Sequence, residues 1–340
     1  MKHISSLGLV LFAFLSHATA ASTVATPKPK GTPVVQGTTQ LDGQNARLGQ
    51  TFTIGKTSPL NFTLLSATYS VGRFEVDNSV WSPKADEKLL VLRFTVQNPQ
   101  KRDVGYYWGD VKFTAVDAQD RNYEGATAIA RPGTTASLQV TLKPAQKVEV
   151  TTVVVVPAAG PVPKLIVRRN GESAVLRYAL SGQVTPLVSP FADPADASGA
   201  TASQRVPVTP GTYVPLEQYD VRLDEVRVTS DAIQGKTPAA GYKFLSAVFT
   251  LRNPLTRPVN YYWGNFDVSL LDADGDMIKY NQTLLKASKD EVSSGAIGKG
   301  EMVRVRFYFE VADGAPGERL LLSDRRGRTY AFDVRSVGSR

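Results

Sequence analysis

Phe94-Thr95-Val96-Gln97-Asn98-Pro99, followed by Arg102, Val104 and Tyr106-Tyr107-Trp108-Gly109, decides the fold because the chain writes it twice. The second copy reads Phe249-Thr250-Leu251-Arg252-Asn253-Pro254, then Arg257, Val259 and Tyr261-Tyr262-Trp263-Gly264. Between residues 90–118 and 245–273, 13 of 29 positions are identical without a gap. The register then continues weakly, with Val148 and Val150 opposite Val303 and Val305, and Pro161 opposite Pro316. So long a period is a duplicated domain, since solenoid units run about 20–50 residues.

Outward from this stretch the patterning is that of strands. Leu90 to Val96 is a β-rich run closed by the Asn-Pro turn. Val148 to Val156 is almost continuously β-branched, which predicts a central strand buried on both faces. Met302 to Val311 alternates, with Val303, Val305, Phe307 and Phe309 on one side and Arg304, Arg306, Tyr308 and Glu310 on a wet one. No segment holds a 3.6-residue period between caps, and the short strands are divided by Gly, Pro and Asp turns. The expectation is an all-β protein with a β-sandwich in each half, 47–180 and 211–336. Residues 181–210, dense in Pro, Ala, Ser and Thr, read as the linker between them, and the Thr/Pro/Lys-rich stretch 21–46 as a flexible one.

The first 20 residues have the form of a signal peptide. Lys2 precedes an apolar run from Ile4 to Leu15, and small residues end in Ala18-Thr19-Ala20. Elsewhere no apolar stretch approaches the ~18 residues of a membrane span. Cysteine is absent, so an exported form has neither disulfides nor a lipidated cysteine. Both histidines, His3 and His17, fall within the leader. Without His or Cys the mature chain lacks the usual zinc ligands and the commonest general base, which removes most hydrolase and metalloenzyme mechanisms. Carboxylate-only glycan hydrolysis survives that exclusion. No cofactor is implied, since neither a dinucleotide fingerprint nor a P-loop occurs. The formal charge of +8 is spread over the chain. It favours acidic partners in general and argues against a dedicated nucleic-acid binder.

Three constellations stand out. Asp272, Asp274 and Asp276 alternate like calcium ligands, but Gly275 is misplaced for an EF-hand loop and Asp274-Gly275 reads better as a hairpin turn. The tyrosine-tryptophan triplets cannot face one way on a strand. With Tyr106 and Trp108 inward, Tyr107 is exposed, and by the same alternation Tyr262, each beside an arginine of its own copy, Arg102 or Arg257. Such a ring serves either as cover for the sheet or as a stacking surface for a sugar or a protein. Finally, Arg325, Arg326 and Arg328, with Arg319, form a basic cluster near a predicted hairpin, matched by Arg168 and Arg169. It reads as a solvated turn or as a grip for an anion.

Copy two continues Phe266-Asp267-Val268-Ser269-Leu270-Leu271-Asp272-Ala273-Asp274-Gly275, and copy one Val111 to Asp120, then Arg121-Asn122-Tyr123. A strand ending in Asn, a short excursion, then F-x-L-x-D-x-x-G and a Tyr resembles a family of immunoglobulin-like modules of bacterial lipoproteins and secreted proteins. That family is catalogued as a domain of unknown function, and a mycobacterial secreted immunogenic antigen is similar in fold. The match covers about 35 residues per copy. Copy one departs from it at Asp120, where the glycine usually sits. The resemblance implies an immunoglobulin-like sandwich, a place outside the cytoplasm, and no enzyme activity.

The sequence thus predicts an exported, non-enzymatic binding protein of the bacterial envelope, built of two tandem immunoglobulin-like sandwiches. Its partner is an envelope protein or an anionic polysaccharide. Rival readings are a structural spacer, a carboxylate-based glycan enzyme and an extracytoplasmic nucleic-acid binder.

Overall fold

The computed structural model describes residues 37–39 and 43–335. The expected leader and most of the expected linker at 21–46 lie outside them.

In the N-terminal sandwich, one sheet has the order β1 (Thr38–Thr39), β3 (Thr51–Ile54), β4 (Leu60–Ser70), β7 (Glu87–Gln97), β12 (Lys147–Pro157). The facing sheet runs β10 (Asn122–Glu124), β9 (Val111–Val116), β13 (Lys164–Arg169), β14 (Leu176–Ala179), β2 (Gln44–Ala46). Two further pairs complete it, the hairpin of β5 (Phe74–Val76) with β6 (Ser79–Trp81), and β8 (Val104–Tyr106) with the later β11 (Val140–Leu142).

The C-terminal sandwich repeats this order. One sheet is β16 (Val214–Pro215), β17 (Asp220–Thr229), β18 (Tyr242–Arg252), β24 (Met302–Ala312), β22 (Leu285–Lys286). The other is β21 (Met277–Lys279), β20 (Asp267–Leu271), β25 (Arg319–Ser323), β26 (Thr329–Asp333), β15 (Arg205–Val208), and β19 (Val259–Tyr261) pairs with β23 (Gly295–Ile297). In both sandwiches the chain crosses between sheets after the long second and third strands. Its entering strand lies parallel to its last one: β2 on β14 and β15 on β26. This is the immunoglobulin-like Greek-key arrangement.

Each sandwich has its own core. Phe62, Phe94 and Phe113 meet in the first, with centroids 5.0–6.0 Å apart. Phe249, Phe266, Phe307 and Phe332 meet in the second. The Asn-Pro positions explain much of the repeated sequence. Asn98 and Asn253 are fully buried. Asn98 Nδ2 donates to the carbonyls of Arg102 (2.7 Å) and Leu142 (2.8 Å), and Asn253 Nδ2 to those of Arg257 (2.8 Å) and Ile297 (2.9 Å). The same bonds thus tie the loop after β7 to β11 and the loop after β18 to β23.

Some expectations are corrected. β12 is an edge strand, not a central one. Its valine run is dry on the outer side because residues 125–138 lie along it, with Ala130 bridging Thr151 and Gly125 bridging Val154. Along β24, Tyr308 is buried on the face expected to be wet, under Ile233, Phe244 and Leu285. Residues 44–46 are strand, and Ala46 is in the core. Within 181–210, Leu187, Ala200 and Ala202 join the first core, Phe191 packs against both cores, and Arg205–Val208 is β15. Small residues pack as readily as they loop, so composition alone misreads this segment.

The two sandwiches form one compact unit. The β5–β6 hairpin of the first reaches onto the second, where Val80 packs against its core. Glu75 accepts hydrogen bonds from the Thr256 backbone N–H (2.9 Å) and hydroxyl (2.7 Å). Ala85 N–H donates to the Arg326 carbonyl at 2.9 Å.

Candidate functional site

Tyr106 and Tyr261 end their short strands pointing inward, at 2% and 8% exposure. The next two residues both face out: Tyr107 and Trp108 are 45% and 37% exposed, Tyr262 and Trp263 49% and 40%. Trp108 and Trp263 are therefore not core anchors. Strand alternation stops at the first tyrosine because the chain turns there. Tyr107 N–H donates to Asp110 Oδ2 (2.8 Å) and Asp110 N–H to the Tyr107 carbonyl (3.1 Å). Asn265 makes the same pair of bonds with Tyr262, at 2.9 and 3.1 Å.

The glycine inside each turn has a steric reason. A Cβ on Gly109 would lie 2.5 Å from the Tyr107 ring, and one on Gly264 2.4 Å from the Tyr262 ring. Each tyrosine thus folds over its glycine and meets the following tryptophan edge to face, at 6.0 Å and 79° in the first copy, 6.4 Å and 82° in the second. The Tyr-Trp-Gly-Asp/Asn order is a turn signal in its own right; reading it so would have placed both tryptophans outside.

The surroundings of the two pairs differ. In the first copy the cation over the aromatic pair is Lys112, 4.6 Å from the Trp108 ring centre. Arg102 instead donates through Nε to Gln100 Oε1 (3.1 Å). Arg169 is nearly buried and pins Asp110 at 2.6 Å. In the second copy Trp263, Asp267, Tyr280 and Arg325 line one shallow depression of about 310 Å³. Arg325 and Arg326 line an adjoining one of about 200 Å³ with Tyr219, Gly264 and Asn265. Burial pushes the Tyr219 phenol up to about 12, so it is neutral at physiological pH. Of the expected residues, Arg325 and Arg326 line these depressions beside the turn, while Tyr262 opens the turn but lines neither. Arg257 is half-buried, and its carbonyl receives the Asn253 amide.

Arg328 is removed from the cluster. It is 3% exposed and donates to the backbone carbonyls of Ser203 (3.1 Å) and Glu87, joining the two sandwiches. The acidic turn is likewise structural in form. Asp272 Oδ1 accepts the N–H groups of Asp274 (3.0 Å) and Asp276 (2.8 Å). Gly275 takes a φ of +87°, and Asp120, at the equivalent place, takes +57°.

No family model matches the chain, and no curated protein does. Among solved structures it is similar to a β-sandwich protein of Clostridium difficile 630, at 14% identity and TM-score 0.30, over 42% of this chain and 95% of that one. It is similar to the secreted protein MPT63 of Mycobacterium tuberculosis, at 20% identity and TM-score 0.28, over 40% of this chain and 95% of that one. It is also similar to the yjhA protein of Bacillus subtilis, at 18% identity and TM-score 0.27, over 39% and 97%. No helix among the described residues is long and apolar enough to cross a membrane.

Proposed function

We propose that the protein is an exported, non-enzymatic binding protein of the bacterial cell envelope, and that it holds an anionic polysaccharide at the Tyr262–Trp263 turn. Export rests on the leader-like first 20 residues, and the absence of enzyme activity on a chain with no His or Cys beyond them. The observation that carries the ligand class is that Trp263 and Arg325 line one depression. An exposed indole stacks on the apolar face of a sugar ring, and a guanidinium beside it pairs with a uronate carboxylate in a two-pronged bond. Arg326, next along the same rim, extends the grip to a neighbouring sugar.

Titration calorimetry of the mature chain with polygalacturonate, against neutral dextran, tests this. The polyanion is expected to bind and dextran not. Trp263→Ala and the double change Arg325→Ala/Arg326→Ala are each expected to weaken binding about tenfold or more. Added salt is expected to weaken it further. Equal binding of both polymers, or variants that bind as the wild type does, sinks the proposal.

A further inference from the structure

A groove of about 700 Å³ lies on the outer face of the β17–β18–β24 sheet, away from any residue of the Trp263 turn. Val226, Ser246, Val248 and Arg306 are among the residues of those three strands that line it, with Ile233 and Asp290 from the flanking loops. Ser246 is 6% exposed, yet among the described residues its hydroxyl has no hydrogen-bond partner. Arg306 Nε is in the same condition, although its Nη2 is held by Asp290. Ser246 and Arg306 are diagonal neighbours on one face, since Arg306 pairs with Val248 two residues on. Such neighbours are about 7–8 Å apart at Cα, within common reach of one small ligand.

A buried polar group without a partner is costly, and native proteins seldom carry one without a use for it. The N-terminal sandwich shows the alternative: Val91 and Thr151 occupy the equivalent positions. The unspent groups have one chemical sense. The surrounding acids are already engaged: Glu225 with Arg227, Asp290 with Arg306 and the Gln234 N–H, Asp231 with the Thr229 hydroxyl (2.8 Å), and Asp224, beside the groove, with Arg304. What remains is a hydroxyl and a guanidinium N–H, both able to donate to the same acceptor. We infer that this groove binds a small organic carboxylate, whose oxygens accept from Ser246 Oγ and Arg306 Nε while its carbon skeleton rests on Val248, which lies opposite Arg306 on the same face. The carboxylate belongs either to a free organic acid or to a uronate unit of a polysaccharide.

The test is calorimetry on the full mature chain carrying Trp263→Ala/Arg325→Ala/Arg326→Ala, so that the proposed polysaccharide turn does not contribute. Butyrate is expected to bind saturably and 1-butanol not. Ser246→Val and Arg306→Thr, which install the residues of the other sandwich, are each expected to weaken butyrate about tenfold. Galacturonate and polygalacturonate distinguish the sources: binding of the monomer assigns a free acid, binding of the polymer alone a polysaccharide, and either supports the site. Absence of saturable binding by every carboxylate, or an unchanged affinity in Ser246→Val, overturns it. Because Trp263, Arg325 and Arg326 are already removed, neither result depends on the polysaccharide turn.

Discussion

Arg73 of the N-terminal sandwich donates to Asp220 of the C-terminal one at 2.6 Å, with side chains only 11% and 16% exposed. The same guanidinium reaches the Tyr219 carbonyl at 3.0 Å, and Asp220 also accepts from Arg252 at 2.6 Å. Removing Arg73 takes away the more buried of the two cations of Asp220 and leaves that largely desolvated carboxylate to the half-exposed Arg252 alone. Arg73→Ala is therefore expected to destabilise the protein by about 2–3 kcal/mol. The double change with Asp220→Ala should cost clearly less than the two single losses added together. Urea denaturation of the four proteins measures this. A loss in Arg73→Ala below about 0.5 kcal/mol would place the pair with ordinary surface contacts, which contribute little.

The repeated asparagines give a second prediction, in matched pairs. Besides its two donated bonds, Asn98 Oδ1 accepts the Gln100 N–H at 2.8 Å, and Asn253 Oδ1 the Leu255 N–H at 2.9 Å. Truncation strands two carbonyls, one buried and one part-buried, and an N–H. Asn98→Ala and Asn253→Ala are each expected to cost about 2–4 kcal/mol. Asn98→Asp keeps the shape but turns an anion toward two carbonyl oxygens, so at pH 7 it should be at least as harmful. Thermal unfolding checks all three, and a mild Asn253→Ala beside a severe Asn98→Ala would contradict the equivalence of the two loops.

These residues show what the sequence made legible. A buried amide with three partners admits no substitute, so Asn98 and Asn253 survive duplication and announce the fold from a short motif. The long strands are legible for the same reason, because a residue facing a core must be apolar wherever the chain places it. Trp108 and Trp263 face outward, against period-two alternation, because the strand ends one residue earlier in a turn held by Asp110 or Asn265. Arg328 departs from the expected cluster because Arg325 and Arg326 are exposed while it alone passes between the sandwiches. The groove at Ser246 had no local signal, since its lining comes from segments far apart in the chain and its distinguishing feature is a missing partner. Shared residues build the scaffold; the Trp263 site adds Arg325 and Arg326 to a turn both copies have, and the Ser246 groove lies where the copies differ.

Lys88 carries the third prediction. It is fully buried, with Nζ donating to the carbonyls of Ala158 (3.0 Å) and Gly160 (2.6 Å) and lying 4.6 Å from the centre of the Tyr69 ring. Burial lowers its pKa to about 8; Asp196 opposes the shift and Arg328 adds to it. A lysine lowered in the fold binds its proton less tightly there than in the unfolded chain, whose value is about 10.4. Between those limits the unfolded state holds more protons, so stability rises with pH, by at most about 1.4 kcal/mol per unit. Below the folded value the cost of the buried charge is fully present. Lys88→Met removes this slope, because methionine does not titrate. Urea midpoints at pH 7, 8, 9 and 10 should show the wild type gaining on the variant as pH rises, with most of the gain above pH 8. Parallel curves for the two proteins would mean that Lys88 keeps an ordinary pKa and that its two carbonyl bonds and the tyrosine ring fully replace its water.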